Sequence, residues 1–371
     1  MRFLIFNWRD IKNPKSGGAE VLTHQMAKRW AEKGHRIVIF SSFFKGAKRE
    51  EVLDNVKIIR AGNSLSVYWQ AYRYYKRFFK GKFDIIIDEI NTIPFFTTLY
   101  VKEPLIAHIN QLAKGVWFYE SCLPLAMLGY LIEPLILKLY RSRPVITISR
   151  STKEDLLRLG FKKERIFVIP MGIGFEPLEV LAEKEKEPTL IYVGRLKKSK
   201  RVHHIIKAFR LIKERIPFCK LWIVGNGDPR YKKGLYQMAK GLDNIEFFHN
   251  ISDKDKLDLM KRAHAIIVTS VREGWGLIVT EANAMGTPAI GYKVAGLKDS
   301  IKDNINGVFS KENNPQSLSD CLIDFLNNDH FKRELSEKSL EDSRSYNWDN
   351  TAVEGLRIIE AIYNKNKSLN K

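Results

Sequence analysis

Short apolar runs alternate with helix-period segments along almost the whole chain, and near the middle the alternation starts afresh. In the first half the runs fall at residues 3–7, 37–41, 56–60, 84–88, 105–109, 145–149 and 166–169. Many lack the apolar–polar alternation of a half-exposed strand, as expected for strands covered on both faces. Helical patterns lie between them, at about 19–33, 66–80, 124–141 and 152–159, with Ser149 or Ser151 able to cap the last. Residues 176–188 then break the composition, with five glutamates, a proline near each end and no aromatic residue. The strand-and-helix alternation resumes with strands at 190–193, 221–224, 245–248, 265–269, 289–292 and 307–309, and a last helix over 350–364. Such an alternation predicts an α/β chain of two Rossmann-like domains, each a doubly wound parallel sheet. The boundaries expected are 1–175, a linker at 176–188, 189–345, and a helical segment from 346 to the end. Open sheets of this kind bind ligands beyond the carboxyl ends of their strands, so a cleft there is expected to hold the ligand.

A chain of 371 residues suits two domains. Cys122, Cys219 and Cys321 are scattered singly, which fits a reducing compartment and predicts a cytoplasmic protein. The apolar run at the amino end is too short for a signal peptide and is interrupted by charge at once. The most apolar stretch, 123–140, carries Pro124, Glu133, Pro134 and Lys138, so no transmembrane helix is expected. Net charge is +20, with 29 basic against 17 acidic residues over 1–180 and 33 against 25 over the remainder. That field favours anionic partners in general: phosphates, nucleic acid or acidic lipid headgroups.

Three motifs follow strands. Ser16-Gly17-Gly18-Ala19-Glu20 joins the first strand to the first helix, where adjacent glycines permit positive φ and close backbone approach and helix amides meet an anion. Gly194-Arg195-Leu196 follows the first strand of the second domain, and Lys200 is read as beginning the next helix. Two cations there can clamp a diphosphate, each charge-assisted bond contributing about 1.5–3 kcal/mol. Lys197, Lys198 and Arg201 read as solvated. The third motif, Glu273-Gly274-Trp275-Gly276-Leu277 through Glu281, sets two acids eight residues apart across a Gly-rich turn into a helix. Carboxylates accept hydrogen bonds from sugar and ribose hydroxyls, and the helix start near Gly276 and Leu277 offers amides to phosphate.

Together these pieces, with Ala284-Met285-Gly286-Thr287-Pro288 and Asn306-Gly307, resemble the retaining glycosyltransferases of GT-B fold in the large family-4 group. The resemblance covers essentially the whole chain. It implies that Arg195 and Lys200 bind the donor diphosphate, that Glu273 and Gly274 meet the transferred sugar, and that Glu281 meets the ribose. It also implies that Gly17 and Gly18 approach the diphosphate or acceptor, that backbone from Phe248 to Ile251 lies near the base, and that the C-terminal helix crosses back to the first domain. In this group a histidine often ends the strand before the acceptor loop. Here Asn110 takes that place, with His108 two residues earlier on the same strand face. The donor implied is a nucleotide diphosphate sugar, with an acceptor glycan or lipid-linked glycan and no cofactor, catalytic metal or nucleic acid.

Asp253-Lys254-Asp255 reads as a helix cap rather than a metal pair. Gly225-Asn226-Gly227 lacks the next position of a dinucleotide fingerprint, because Arg230 stands there. Residues 68–82 hold seven aromatics, five cations and no acid, and read first as a helix packing its aromatic face on the sheet, second as an element at an anionic membrane surface. Residues 116–140 border a lipid acceptor on the same second reading. The rival readings are a nucleotide-sugar epimerase or hydrolase on the same fold and a non-catalytic binding protein at a membrane surface. Intact Arg195, Lys200, Glu273 and Glu281 argue against the latter.

Overall fold

The computed structural model describes residues 1–369 and divides into two compact units. The first comprises residues 1–114, 128–172 and the chain from Tyr346 on; the second comprises 115–127 and 173–345.

In the first unit eight strands form one sheet: β1 (Arg2–Phe6), β2 (Arg36–Ser41), β3 (Glu50–Leu53), β4 (Val56–Arg60), β5 (Ile85–Glu89), β6 (Leu105–His108), β7 (Val145–Thr147) and β8 (Ile166–Val168). Their order is β3-β4-β2-β1-β5-β6-β7-β8, parallel throughout except for the antiparallel β3–β4 hairpin. That hairpin is absent from the sequence reading. Its signal is the Asp54-Asn55 pair, whose φ values of 48° and 61° close a two-residue turn between the paired Leu53 and Val56. Such turns need positive φ at both central positions, which Asp and Asn tolerate.

Helices cover both faces of this sheet, which is why β1 reads as an unbroken apolar run, with Phe3 to Phe6 all buried. On one face α1 (Gly18–Glu32) packs against the C-terminal helix Trp348–Leu369. The Trp30 indole donates to the Ala352 carbonyl at 2.8 Å, and a side chain at Gly355 would stand 3.3 Å from that ring. On the other face α2 (Val67–Tyr74) continues as one π turn through Phe79. Val67, Ala71, Tyr75 and Phe79 are buried against Leu4, Phe6 and Phe40. Burial of Val67 and Phe79 contributes about 1.5–3 kcal/mol each. Of the aromatics of this segment, Tyr75 and Phe79 are buried in the core and Tyr68 and Tyr74 pack against it, whereas Trp69 and Phe78 are exposed. A third helix, α3 (Leu123–Lys138), turns Glu133 inward, where its carboxylate accepts the amides of Ala113 at 2.6 Å and Lys114 at 2.9 Å. The helix at 150–158 is capped by Ser149, whose hydroxyl accepts the Thr152 amide.

In the second unit six parallel strands, β9 (Thr189–Val193), β10 (Lys220–Val224), β11 (Ile245–Phe248), β12 (Ala265–Val268), β13 (Ala289–Gly291) and β14 (Gly307–Phe309), are ordered β11-β10-β9-β12-β13-β14. The helices that position the site are α4 (Val202–Arg215), α5 (Asp253–Arg262) and α6 (Leu277–Ala284). Residues 176–188 are bound to this unit. The Leu178 amide donates to Ala284, and the Lys184 ammonium donates to the carbonyls of Lys261 and Gly286 and to the Thr287 hydroxyl. Lys184 thereby satisfies carbonyls left over at the ends of α5 and α6, an interaction between distant residues that composition does not reveal. Among the described residues no helix is long and apolar enough to cross a membrane.

Candidate active site

Each sheet has one point where the strand order reverses, and the candidate residues of each unit lie at its own reversal. In the second unit β9 sits between β10 and β12, so the strand order reverses there, the place where open sheets of this kind bind ligands beyond their carboxyl ends. Arg195 lies two residues beyond β9, and its carbonyl accepts the Tyr192 hydroxyl at 2.9 Å. Lys200 closes a short 3₁₀ turn, Lys198–Lys200, ahead of α4 rather than beginning that helix as expected. The reason is Arg201, whose left-handed backbone (φ 50°) interrupts the helical run before Val202. This turn is pinned to the chain leaving β12: the Thr269 hydroxyl donates to the Lys200 carbonyl at 2.9 Å, and the Val271 amide to that of Ser199 at 2.8 Å.

The pinning brings Lys200 and Glu273 together. The Lys200 ammonium is hydrogen-bonded to Glu273 Oε1, which also accepts the buried Ser270 hydroxyl at 2.6 Å. The Glu273 backbone is held by its N–H, which donates to the Ala295 carbonyl at 3.0 Å. Gly296 makes this approach possible: its φ is 82°, and a Cβ there would lie 2.0 Å from the Glu273 carbonyl oxygen. Gly274 and the buried Trp275 lead to Gly276, whose left-handed φ of 98° starts α6 at Leu277 with no side-chain cap. The amino end of α6 thus has no side-chain cap and carries the positive end of the helix dipole.

Glu281 is one turn further along α6 and faces α5, where Lys256 reaches it at 3.1 Å and Asp253 at 3.2 Å. Burial pushes the Glu281 carboxyl above its ordinary range, and Lys256 pulls it back. Burial also works against the charge of Lys256, but Glu281 and Asp253 together hold its ammonium above its usual value. Ile251, between β11 and α5, packs on the cluster containing Trp222 and Val224. The cap of α5 is Ser252, whose hydroxyl accepts the Asp255 amide at 3.1 Å, and not an aspartate.

Two further expectations are corrected in this unit. Lys197 and Arg201, read as solvated, are both engaged: Lys197 with Glu120 at 2.9 Å, and Arg201 with the Tyr119 hydroxyl at 2.8 Å while its guanidinium lies 5.3 Å from that ring. Residues 115–127 supply those partners from far away in sequence, which is why a local charge run looked solvated.

In the first unit the reversal lies at β1, between β2 and β5. The loop after β1 carries Gly17 and Gly18, but neither adopts positive φ; Gly17 is extended, at φ −153°. Glu20 explains the difference from expectation. Its carboxylate accepts the Gly17 amide at 2.7 Å and pairs with Arg9 at 3.0 Å, closing the turn from within. A Cβ on Gly18 would meet only Met171, at an ordinary 3.8 Å.

Beneath this loop the sheet register places Glu89 opposite His108. His108 Nδ1 lies 2.7 Å from Glu89 Oε1, which also accepts the Thr23 hydroxyl of α1 at 2.9 Å. Asn7 joins through Thr23 at 3.3 Å and Asn91 through Asn7 at 3.2 Å. Four atoms of this buried layer have no hydrogen-bond partner: His108 Nε2, Glu89 Oε2, and both side-chain heteroatoms of Asn110. His108 and Asn110 are therefore in one polar layer, with the paired imidazole below and the unpaired amide beyond the strand end. Glu89, Ser270, Lys256 and Gly296 went unnoticed in sequence. Ser270 stood three residues before Glu273 and Glu89 at the end of a strand, whereas Lys256 and Gly296 carried no local signal.

Comparison with known proteins agrees with this architecture. Residues 16–176 match the Glycosyltransferase Family 4 domain, and residues 176–342 match Glycosyl transferases group 1. An uncharacterized glycosyltransferase of Methanocaldococcus jannaschii is 29% identical over 238 residues; the alignment covers 60% of this chain and 61% of that protein. Among solved structures, a sucrose-phosphate synthase from Thermosynechococcus elongatus superposes with a TM-score of 0.78 at 20% identity, covering 98% of this chain and 99% of that one. Anabaena HepE, solved with UDP-glucose, gives 0.74 at 16% identity, covering 97% and 100%. The two halves of the chain thus match two glycosyltransferase domain models in succession, on a fold shared with solved GT-B glycosyltransferases.

Proposed function

We propose that this glycosyltransferase moves a hexosyl group from a nucleoside diphosphate sugar to an acceptor hydroxyl with retention of anomeric configuration, without a metal ion. The observation that carries the reading is the Lys200–Glu273–Ser270 constellation at the β9/β12 reversal, beside the uncapped start of α6. Cleavage of the sugar–phosphate bond builds negative charge on the departing diphosphate and positive charge on the sugar. Arg195, Lys200 and the α6 amides stabilise the first, in a site whose charges are fixed before reaction. Glu273 orients the sugar hydroxyls, and Glu281 accepts the ribose hydroxyls.

Binding of donor releases Lys200 in part from Glu273, so each charge exchanges one partner for another rather than being desolvated anew. The leaving phosphate takes the acceptor proton on the face from which it departs. Asn110, with both polar atoms unpaired, and His108, fixed by Glu89, serve the acceptor side. HepE was solved with UDP-glucose, which makes UDP-sugars the first donors to test. The acceptor we propose is a lipid-linked or polysaccharide-precursor glycan reached from the cytoplasmic face of a membrane.

A thermal-shift screen over nucleotide sugars identifies the donor, since a ligand at about 100 times its Kd adds about 2.7 kcal/mol to apparent stability. With that donor, turnover in chelator is expected to persist, and the product anomer read by NMR is expected to match the donor's. Arg195→Ala is expected to cost about 2–4 kcal/mol of transition-state stabilisation. Near-normal turnover of that variant, or an inverted product, overturns the reading.

A further inference from the structure

We propose that the first unit docks on an anionic lipid bilayer through the leucine face of α3 and the basic, aromatic outer side of α2. This deepens the acceptor half of the proposed function, and it rests on surface features that take no part in sugar transfer.

Helix α3 is built inside out for a surface helix. Glu133 and Leu137 are buried, while Leu128, Leu131, Leu135 and the adjoining Leu139 are exposed. Their spacing of three and four residues makes one stripe. Leu131 is 63% exposed and Leu135 59%. Exposed leucines scattered singly need no explanation, but a continuous stripe marks an interaction surface.

The stripe continues onto α2. The Thr98 hydroxyl donates to the Leu139 carbonyl at 3.4 Å, and Leu99 beside it is 68% exposed. Tyr100 then packs edge-on against Tyr72 with ring centroids 5.2 Å apart, and Tyr72 stacks on Trp69, itself 60% exposed. Around these side chains stand the exposed cations Arg73, Lys76, Arg77, Lys80, Lys102 and Lys138. The Lys76 ammonium lies 5.6 Å from the Tyr72 ring. The acids of the same segments are turned inward: Glu133 as described, and Glu103 accepting the Tyr75 hydroxyl and the Gly81 amide at 2.6 Å each. The face thus offers leucines to the acyl boundary, a tryptophan to the headgroup level and cations to anionic headgroups.

The same chemistry tells against a second copy as the occupant. A two-fold interface brings identical patches face to face, so the cations of one copy would meet those of the other. An anionic bilayer satisfies both the leucines and the cations.

Sedimentation of the full chain with phosphatidylcholine vesicles, with and without phosphatidylglycerol, tests the inference, with no donor or acceptor present. The chain is expected to partition onto the phosphatidylglycerol vesicles and weakly onto the neutral ones. Removing two cations, in Arg77→Ala/Lys80→Ala, is expected to lower partitioning onto anionic vesicles roughly thirtyfold, at about 1 kcal/mol per charge, and the loss should shrink in high salt. Leu131→Ser/Leu135→Ser is expected to lower it by about tenfold or more. Both variants should keep the wild-type melting temperature and donor response, because the altered side chains are exposed; sugar transfer and docking are thereby read separately. Equal binding to neutral and anionic vesicles, or no binding to either, overturns the proposal. So does a dimer in sedimentation velocity that the leucine variant splits.

Discussion

The two strand-order reversals handle their polar groups in opposite ways. At β9/β12 every acid named in the site already has a cation: Glu273 has Lys200, and Glu281 has Lys256. At β1/β5/β6 the buried layer is short of partners, with His108 Nε2, Glu89 Oε2 and the whole Asn110 amide unpaired. Under the proposed function, the contrast teaches how one chain would prepare for two ligands. A charged ligand such as a diphosphate is met by ion pairs that exchange partners, which spares the cost of holding lone buried charges. Neutral hydroxyls are met by hydrogen-bonding capacity left open, a standing cost that the ligand removes.

The largest expected break in this comparison is on the second unit. Lys200→Ala removes a cation from the diphosphate and leaves Glu273 with Ser270 alone, so steady-state turnover should fall about 10²–10³-fold. On the first unit the same kind of change should be felt mainly as folding energy. Glu89→Leu takes the acceptor from both His108 and Thr23, and denaturant melts should show a loss of about 1–3 kcal/mol. Asn110→Leu sharpens the contrast by going the other way. It deletes two unpaired atoms at similar volume, so the free protein should gain about 1 kcal/mol or more while transfer activity drops. A variant that loses stability there would mean the amide already has its partners.

How much of this was legible in sequence follows the same division. Apart from β3, the strands of both sheets read clearly, because helix-covered strands are continuous apolar runs and here they stand between turn residues. Arg195 could be picked out because it stands just past a strand, and Glu273 and Glu281 because a Gly-rich turn into a helix sets them eight residues apart. What pairs them could not. Lys256 meets Glu281 across α5 and α6, and Gly296 packs on Glu273 from the next loop, contacts that only the folded sheet creates. The Gly17-Gly18 turn misled for a related reason: Glu20 three residues on closes it as a capping box, so the glycines need no unusual backbone. The orphaned layer at His108 was half visible, since the strand period set His108 and Asn110 on one face, but Glu89 entered only through sheet register.

The smallest expected effect concerns pH. Lys256 lowers the pKa of Glu281 against the upward push of burial. Lys256→Met therefore raises it further. With Glu281 accepting the ribose hydroxyls as proposed, donor affinity depends on its ionised carboxylate and is lost as pH falls through that pKa, so the midpoint of the loss should move to higher pH in the variant. Binding titrations across the acid range check the direction, and an unmoved or lowered midpoint would dissociate Lys256 from the ribose acid.

The grip of the second unit on a diphosphate is tested most directly by calorimetric titration with UDP and with UMP, in chelator. The wild-type chain should bind UDP at least about tenfold more tightly than UMP, the second phosphate adding one charge-assisted bond worth about 1.5 kcal/mol or more. In Arg195→Ala/Lys200→Ala that preference should vanish. Equal affinities in the wild type, or a preference that survives the loss of both cations, would contradict the account.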